Sequence, residues 1–453
     1  MIEPQTLIFP RWLAPMTDPA PGPEAGPGSG PATAAAPPLT GHALCLAGRH
    51  IRAILPAAVA RARYPNAECV ELPRHLLLPG LVNAHTHSPM VLLRGYADDL
   101  PLAAWLMERI WPAEQRLVSP AFVADGSRLA IAEMLKSGIT CFHDMYFFPE
   151  ETAAVAAAVG IRAVVGLPII DLPTAWAADG AECLRLGQAV HDHFRGHPLV
   201  GTALAPHAPY TVNDELLQRI ACLAEELDLP IHMHIHETAR EVADAVAADG
   251  RRPLARLAAL GLLSPRLLAV HMTQIDAEEP DLLAHHGVHV IHCPESNMKL
   301  ASGICPVPRL LAAGVNCALG TDGAASNNDL DLLGEIRSAA LLAKCASGDP
   351  TALPVAQALR MATLGGAMAL GLEARIGTLE PGKEADCIAV DLSGVYAEPV
   401  FDPLSTLVYA TGREQVTDVW VAGRRLLKGR QLTTLDEAEV LERAAQWRGR
   451  VLG

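Results

Sequence analysis

The chain has 453 residues, about three times the size of an ordinary single domain, so one small module is excluded. Half the residues are hydrophobic and 19% are charged, which supplies a large core and excludes global disorder. Lys and Arg total 35 against 50 Asp and Glu, and a net charge of −15 has the wrong sign for a nucleic-acid binder.

In chain order, the first segment reads as a small sheet. Apolar runs at 6–9, 43–46 and 51–55 look like strands, and the Pro/Gly/Ala stretch 18–38 between the first two reads as a flexible loop inserted in a hairpin. The start lacks the basic region of a signal peptide, and the Ala-rich run near 153–170 is broken by Arg162. A soluble cytoplasmic protein is therefore expected, with no membrane partner. The ten Cys form no CxxC pair and read as buried reduced thiols.

From about residue 79 to 384 short apolar strands alternate with Ala/Leu-rich helical stretches. Eight strands are predicted, at 76–82, 140–142, 163–170, 200–204, 230–235, 267–270, 288–291 and 315–319. Such alternation implies a parallel sheet, and eight repeats imply a (β/α)8 TIM-type barrel. The far end returns to strand and turn grammar at 387–390, 416–421 and 424–427. The expected organisation is a small β-sandwich domain built from both ends (1–78 and 385–453) around a barrel spanning 79–384.

The residues just past each predicted strand carry the function. The first strand exits into Asn83-Ala84-His85-Thr86-His87, the second into His143-Asp144 and the fourth into Pro206-His207-Ala208-Pro209-Tyr210. The fifth gives His232-Met233-His234-Ile235-His236-Glu237, the sixth His271, the seventh His292-Cys293-Pro294-Glu295-Ser296-Asn297 and the eighth Thr321-Asp322-Gly323. In a βα barrel all these tips meet at the C-terminal face, where such enzymes keep their chemistry. His85 and His87, two apart, point the same way on a strand and can share a metal, although HxH alone also fits a pair of hydrogen-bonded core histidines. In HxxE, His234 can hold a metal while Glu237 hangs beside it, free to carry protons; His232 and His236 read as supporting or structural. His271 also suits a structural role, and Asp322 also suits an ordinary Asp-Gly turn. Three imidazoles, one carboxylate and an open position suit catalytic Zn2+ or Fe2+. The only Lys between His87 and His234 is Lys136, in a helical stretch, so no strand-tip lysine is available to bridge two ions and one divalent metal per subunit is expected.

These motifs resemble the amidohydrolase superfamily over nearly the whole chain: LPGLVNAHTH within 72–87, HxxE at 234–237, His271, GTDGAASNN at 320–328 and GTLEPGKEADCIAVDL at 377–392. LLRGYADDLPLAAWL at 92–106, WPAE at 111–114, DMYFF at 144–148 and APHAPY at 205–210 resemble the 5′-methylthioadenosine/S-adenosylhomocysteine deaminase family. The resemblance implies metal binding by His85, His87, His234 and Asp322, with catalysis by Glu237, His271 and Asp322. It implies nucleoside contacts from Glu114, through ribose hydroxyls, and from His207. The reaction implied is hydrolytic deamination of an adenine nucleoside, and homodimers or homotetramers are the family habit. The tip of the third strand, at 164–168, carries no Arg to hold an amino-acid carboxylate. Arg162 precedes that strand, Arg185 lies in a helical stretch, and Trp176 with nearby aliphatics suits a methylthio group. The expected substrate is 5′-methylthioadenosine, with adenosine and S-adenosylhomocysteine as lesser candidates. The alternatives are a deaminase or dechlorinase of another ring (guanine, 8-oxoguanine or a triazine) and, more remotely, a catalytically dead barrel scaffold.

Overall fold

A computed structural model describes residues 3–17 and 36–452. Residues 18–35 of the expected flexible loop lie outside the described residues. Eight parallel strands form one sheet in sequence order: β1 Leu81–Thr86, β2 Ile139–Met145, β3 Arg162–Ile169, β4 Val200–Pro206, β5 Ile231–Ile235, β6 Leu267–His271, β7 His289–His292 and β8 Cys317–Leu319. Apart from Gly201 in β4 and His289 at the start of β7, these strands are buried along their whole length. That is why they read as continuous apolar runs and do not alternate. The helices between them supply the amphipathic layer. Asp214–Leu227, for example, buries Leu216, Leu217, Ile220 and Ala224 on one face, and its Asn213 cap accepts from the Leu216 amide at 3.0 Å.

The ring comes nearly closed between its first strand and the segment just past β8. The Asn83 amide donates to Thr321 Oγ1 (2.8 Å) and its carbonyl accepts from the Thr321 amide (3.0 Å). The Asp322 amide then donates to the His85 carbonyl at 3.1 Å. This closeness requires Gly320, where an added Cβ would lie 2.7 Å from His85 Cβ and 2.9 Å from its backbone N and O.

The small β domain draws on both chain ends. In hydrogen-bonding terms it is one mixed sheet of nine described strands, whose main path runs 431–432, 424–428, 416–421, 387–391, 68–79, 6–13, 42–47 and 50–56. The ends meet where Cys387–Asp391 runs antiparallel to Glu68–Pro79, and Trp420, Leu77, Ile8 and Cys387 share its core. The predicted strand at 76–82 straddles two elements: 76–79 belong to this sheet and the barrel strand starts at Leu81. Periodicity could not reveal the change of sheet because both pieces are fully buried. The break falls at Gly80, where a Cβ would meet Thr140 Oγ1 at 2.0 Å.

The chain divides into two compact units, 1–82 with 134–141 and 331–434, and 83–133 with 142–330 and 435–453. These boundaries differ from the expected 79 and 384. The C-terminal helix Glu437–Leu452, expected with the small sheet, packs in the second unit because its one apolar face carries Trp447. Trp447 stacks edge-on against Phe122 and donates from Nε1 to Asp125 at 3.0 Å. None of the ten Cys is in a disulfide; Cys69, Cys222 and Cys345 are exposed, contrary to the expectation of burial, and the other seven are buried. No described helix is long and apolar enough to cross a membrane.

Candidate active site

The polar tips of four strands, β1, β5, β6 and β8, converge in the second unit. His85, His234 and His271 each offer a nitrogen, and these atoms lie within 4.8 Å of one another; His85, His87 and Asp322 form an overlapping group by the same measure. Asp322 Oδ1 is 3.3 Å from both His85 Nε2 and His87 Nε2. Glu237 stands just outside the cluster, its Oε2 3.9 Å from His271 Nε2.

Each imidazole is anchored through Nδ1. His87 Nδ1 donates to the Met145 carbonyl at 2.5 Å and His234 Nδ1 to the His207 carbonyl at 2.7 Å. A carbonyl only accepts, so both Nδ1 atoms carry a proton, which leaves Nε2 as the nitrogen that can offer a lone pair. His271 Nδ1 lies 2.9 Å from Asn297 Oδ1, and His85 Nδ1 lies 2.7 Å from His232 Nε2. Burial pushes His85 down to about 4 and His234 well below the usual imidazole range, so both are neutral near pH 7. His85 Nε2 is buried and makes no hydrogen bond. Neutral imidazoles with inward lone pairs beside a carboxylate fit one divalent cation, and an orphaned buried nitrogen is the group such an ion would satisfy.

Asp322 is fixed by three donors: Ser296 Oγ (2.6 Å), Ser326 Oγ (2.9 Å) and the Gly323 amide (2.7 Å). Burial alone would raise its carboxyl, but the surrounding His85, His87 and His271 hold it well below the carboxylate range. Glu237 is raised by burial, with His271 and His87 opposing. The backbone is strained at the same place: φ is +74° at His271 and +61° at Asp322. Left-handed non-glycine residues cost about 1–3 kcal/mol each and cluster at functional sites.

A cavity open to solvent is lined by His87, His234, His271, Glu237 and Asp322 together with Glu114, Tyr146 and His207. Glu114 Oε1 accepts from Tyr146 Oη at 2.6 Å, and burial raises its carboxyl to about 7. His207 is held neutral, at about 4, by burial, and its Nδ1 lies 3.2 Å from Thr211 Oγ1. Trp176 does not line the cavity; its segment folds on itself through Thr174 Oγ1 (3.2 Å to the Trp176 amide), and its side chain bonds to Glu150. Residue type suggested an apolar contact there, but the ring is engaged with Glu150 and is not among the lining side chains. Arg162 and Arg185 are also absent from the lining, the first buried at the start of β3 and the second ion-paired to Glu182 at 2.8 Å.

Several supporting residues lie in the same motifs, where sequence reasoning gave them no part. Tyr146 sits in DMYFF, Ser296 and Asn297 come after β7, and Ser326 comes after Asp322; only the packing shows which side chain each one grips. His232, read as supporting, does grip His85, and His143 stacks on it with ring centroids 3.9 Å apart.

The sequence profile of the amidohydrolase family matches residues 76–426, and the chain belongs to that family. More particularly, it is 50% identical over 405 residues to a protein of Teredinibacter turnerae named 5-methylthioadenosine/S-adenosylhomocysteine deaminase, covering 89% of this chain and 92% of that one. A protein of Saccharophagus degradans with the same name is 48% identical over 409 residues, 90% and 92% of the two chains. A crystal structure of an adenosine deaminase from Xanthomonas campestris with bound zinc superposes with a TM-score of 0.94 at 51% identity over 100% of both chains. The chain is thus a hydrolase of the deaminase branch of its family.

Proposed function

We propose that this chain hydrolytically deaminates an adenine nucleoside, 5′-methylthioadenosine above all, to 5′-methylthioinosine and ammonia, with adenosine and S-adenosylhomocysteine as lesser substrates. The observation that carries the reading is the juxtaposition of Glu237, raised by burial, with the His85–His87–His234–Asp322 cluster at a cavity that Glu114 also lines. The names of the similar proteins support it.

His85, His87, His234 and Asp322 would hold the cation, with His271 beside them. Zinc is the ion proposed, because zinc is bound in the Xanthomonas neighbour; iron(II) suits the same donors. What a divalent ion supplies at such a site is Lewis acidity, lowering the pKa of water from about 16 toward 7. The protein's own groups do the rest. Asp322, kept ionised, orients the attacking water with His271 and accepts its proton. His271 is aimed by Asn297. Glu237, its carboxyl raised by burial, is placed to deliver a proton to the purine ring nitrogen beside the attacked carbon, relieving negative charge there. As the carbon–nitrogen bond breaks, the proton on Asp322 passes to the departing amine, which leaves as ammonia, and the proton of the added hydroxyl returns to Glu237 as that oxygen becomes the product carbonyl. Glu114 accepts from ribose hydroxyls, and neutral His207 contributes a further hydrogen bond. We further propose a cytoplasmic homodimer or homotetramer, to be checked by light scattering.

The test is spectrophotometric deamination of 5′-methylthioadenosine, adenosine and S-adenosylhomocysteine side by side. The highest kcat/KM is expected for the first. A preference for S-adenosylhomocysteine would overturn the substrate order, and no turnover of any of the three would overturn the reaction.

A further inference from the structure

The site cavity shares one wall with a second, larger groove. Leu102, Leu106, Trp111, Tyr210 and Leu300 line both, and Glu237 marks the common inner end. Three of these side chains come from one stretch of chain: Leu102 precedes a π-helical turn at Trp105–Ile110, which carries Leu106, and Trp111 stands at the head of the next helix. The wider π turn keeps Trp105 and Ile110 buried while Met107 stands 61% exposed over the groove. The outer groove is not short of cations, but each one is engaged. Lys299 pairs with Asp98 at 2.6 Å, Arg240 with Asp244 at 3.4 Å, Arg251 with Asp249 at 2.9 Å and Arg256 with Asp214 at 2.6 Å.

With the purine at Glu237 and Asp322 and the ribose at Glu114, a 5′ substituent directed toward the outer groove would cross this shared wall. We infer that the wall is an apolar collar through which 5′-thioether substituents pass into the outer groove, so that the enzyme takes 5′-alkylthio- and 5′-arylthioadenosines as a class. The inference rests on the proposed nucleoside deamination and extends its substrate range beyond methylthio. An apolar tail gains by covering Leu102, Leu106, Trp111 and Leu300, whereas the amino-acid end of S-adenosylhomocysteine meets guanidinium and ammonium groups whose charge is already offset by carboxylates, so it gains less there.

The experiment uses the full metal-loaded enzyme with adenosine and its 5′-methylthio, 5′-propylthio, 5′-butylthio and 5′-phenylthio derivatives, and S-adenosylhomocysteine. Each methylene covered by the collar should raise kcat/KM by about fourfold. S-Adenosylhomocysteine should fall at least tenfold below the butylthio compound. Leu106→Asp should cut the butylthio-to-adenosine ratio by at least tenfold; Leu300→Ser, at a half-buried site, serves the same purpose if the first variant misfolds. Adenosine turnover with a flat or falling alkylthio series overturns the collar and leaves the deaminase reading intact. No turnover of any nucleoside overturns both.

Discussion

Replacing Glu237 by Gln separates acid–base chemistry from metal binding at this site. The side chain keeps its volume, and the turn that presents it is held by other groups, since Glu241 accepts from the Glu237 amide at 2.7 Å and from the His236 amide at 3.0 Å. Glu237 lies outside both groups of clustered donor atoms, with its nearest approach 3.9 Å to His271. Metal content should therefore remain at one ion per chain. Burial raises the Glu237 carboxyl because it disfavours the charged form, and an amide of the same volume carries no charge at any pH, so thermal stability should hold or rise. What is lost is the proton for the ring nitrogen. A positioned general acid contributes about 10²–10⁴-fold, equivalent to about 2.7–5.4 kcal/mol of activation free energy. The assay is loss of purine absorbance on deamination, run beside elemental analysis and a melting curve on the same preparation. A folded, metal-loaded Gln variant with more than a third of normal kcat would refute the acid role; loss of the ion would make Glu237 a ligand instead.

His232→Phe fills the same space but leaves His85 Nδ1 without its 2.7 Å partner; metal affinity in a chelator competition should fall by about 10–100-fold, and an unchanged affinity would make His232 mere filling. Glu114→Gln should raise KM by about 10–100-fold, the worth of a charge-assisted hydrogen bond, with kcat little altered. Because Glu114 is raised to about 7, it is protonated below that pH and ionised above it. Wild-type kcat/KM relative to the Gln variant should therefore rise as pH climbs through 7, and a constant ratio across that range would deny it a role as acceptor. Gly320→Ala forces a methyl to within 2.7 Å of His85 Cβ, and should cost about 1–3 kcal/mol in denaturant melts together with weakened metal binding; a neutral substitution would mean that the closure of the ring is looser than these contacts imply.

Much of the site could be read before any fold was known, because barrel enzymes place chemistry at strand ends and this chain puts His, Asp or Glu at nearly every one. Local chemistry marked the HxH pair and the HxxE triplet, and fully buried parallel strands announced themselves as apolar runs. Less could be read where a contact depends on a partner far away. Tyr146 and Glu114 are 32 residues apart, His85 and His232 147 apart, and Asn83 and Thr321 238 apart. Trp176 illustrates the opposite failure: a residue of suitable chemistry next to the right strand, whose ring is engaged with Glu150 and is not among the side chains lining the cavity.

The sequence by itself determined the alternation of strand and helix, the two-ended β domain and the gathering of His, Asp and Glu at the strand ends, since each comes from periodicity or from residue type within a few positions. Only the tertiary structure decided which nitrogen of each imidazole points inward, which sheet owns residues 76–79, where the C-terminal helix packs, and that an apolar wall from 102–111 and Leu300, not Trp176, borders the cavity. These depend on hydrogen bonds and packing between residues tens to hundreds of positions apart, which no local pattern encodes.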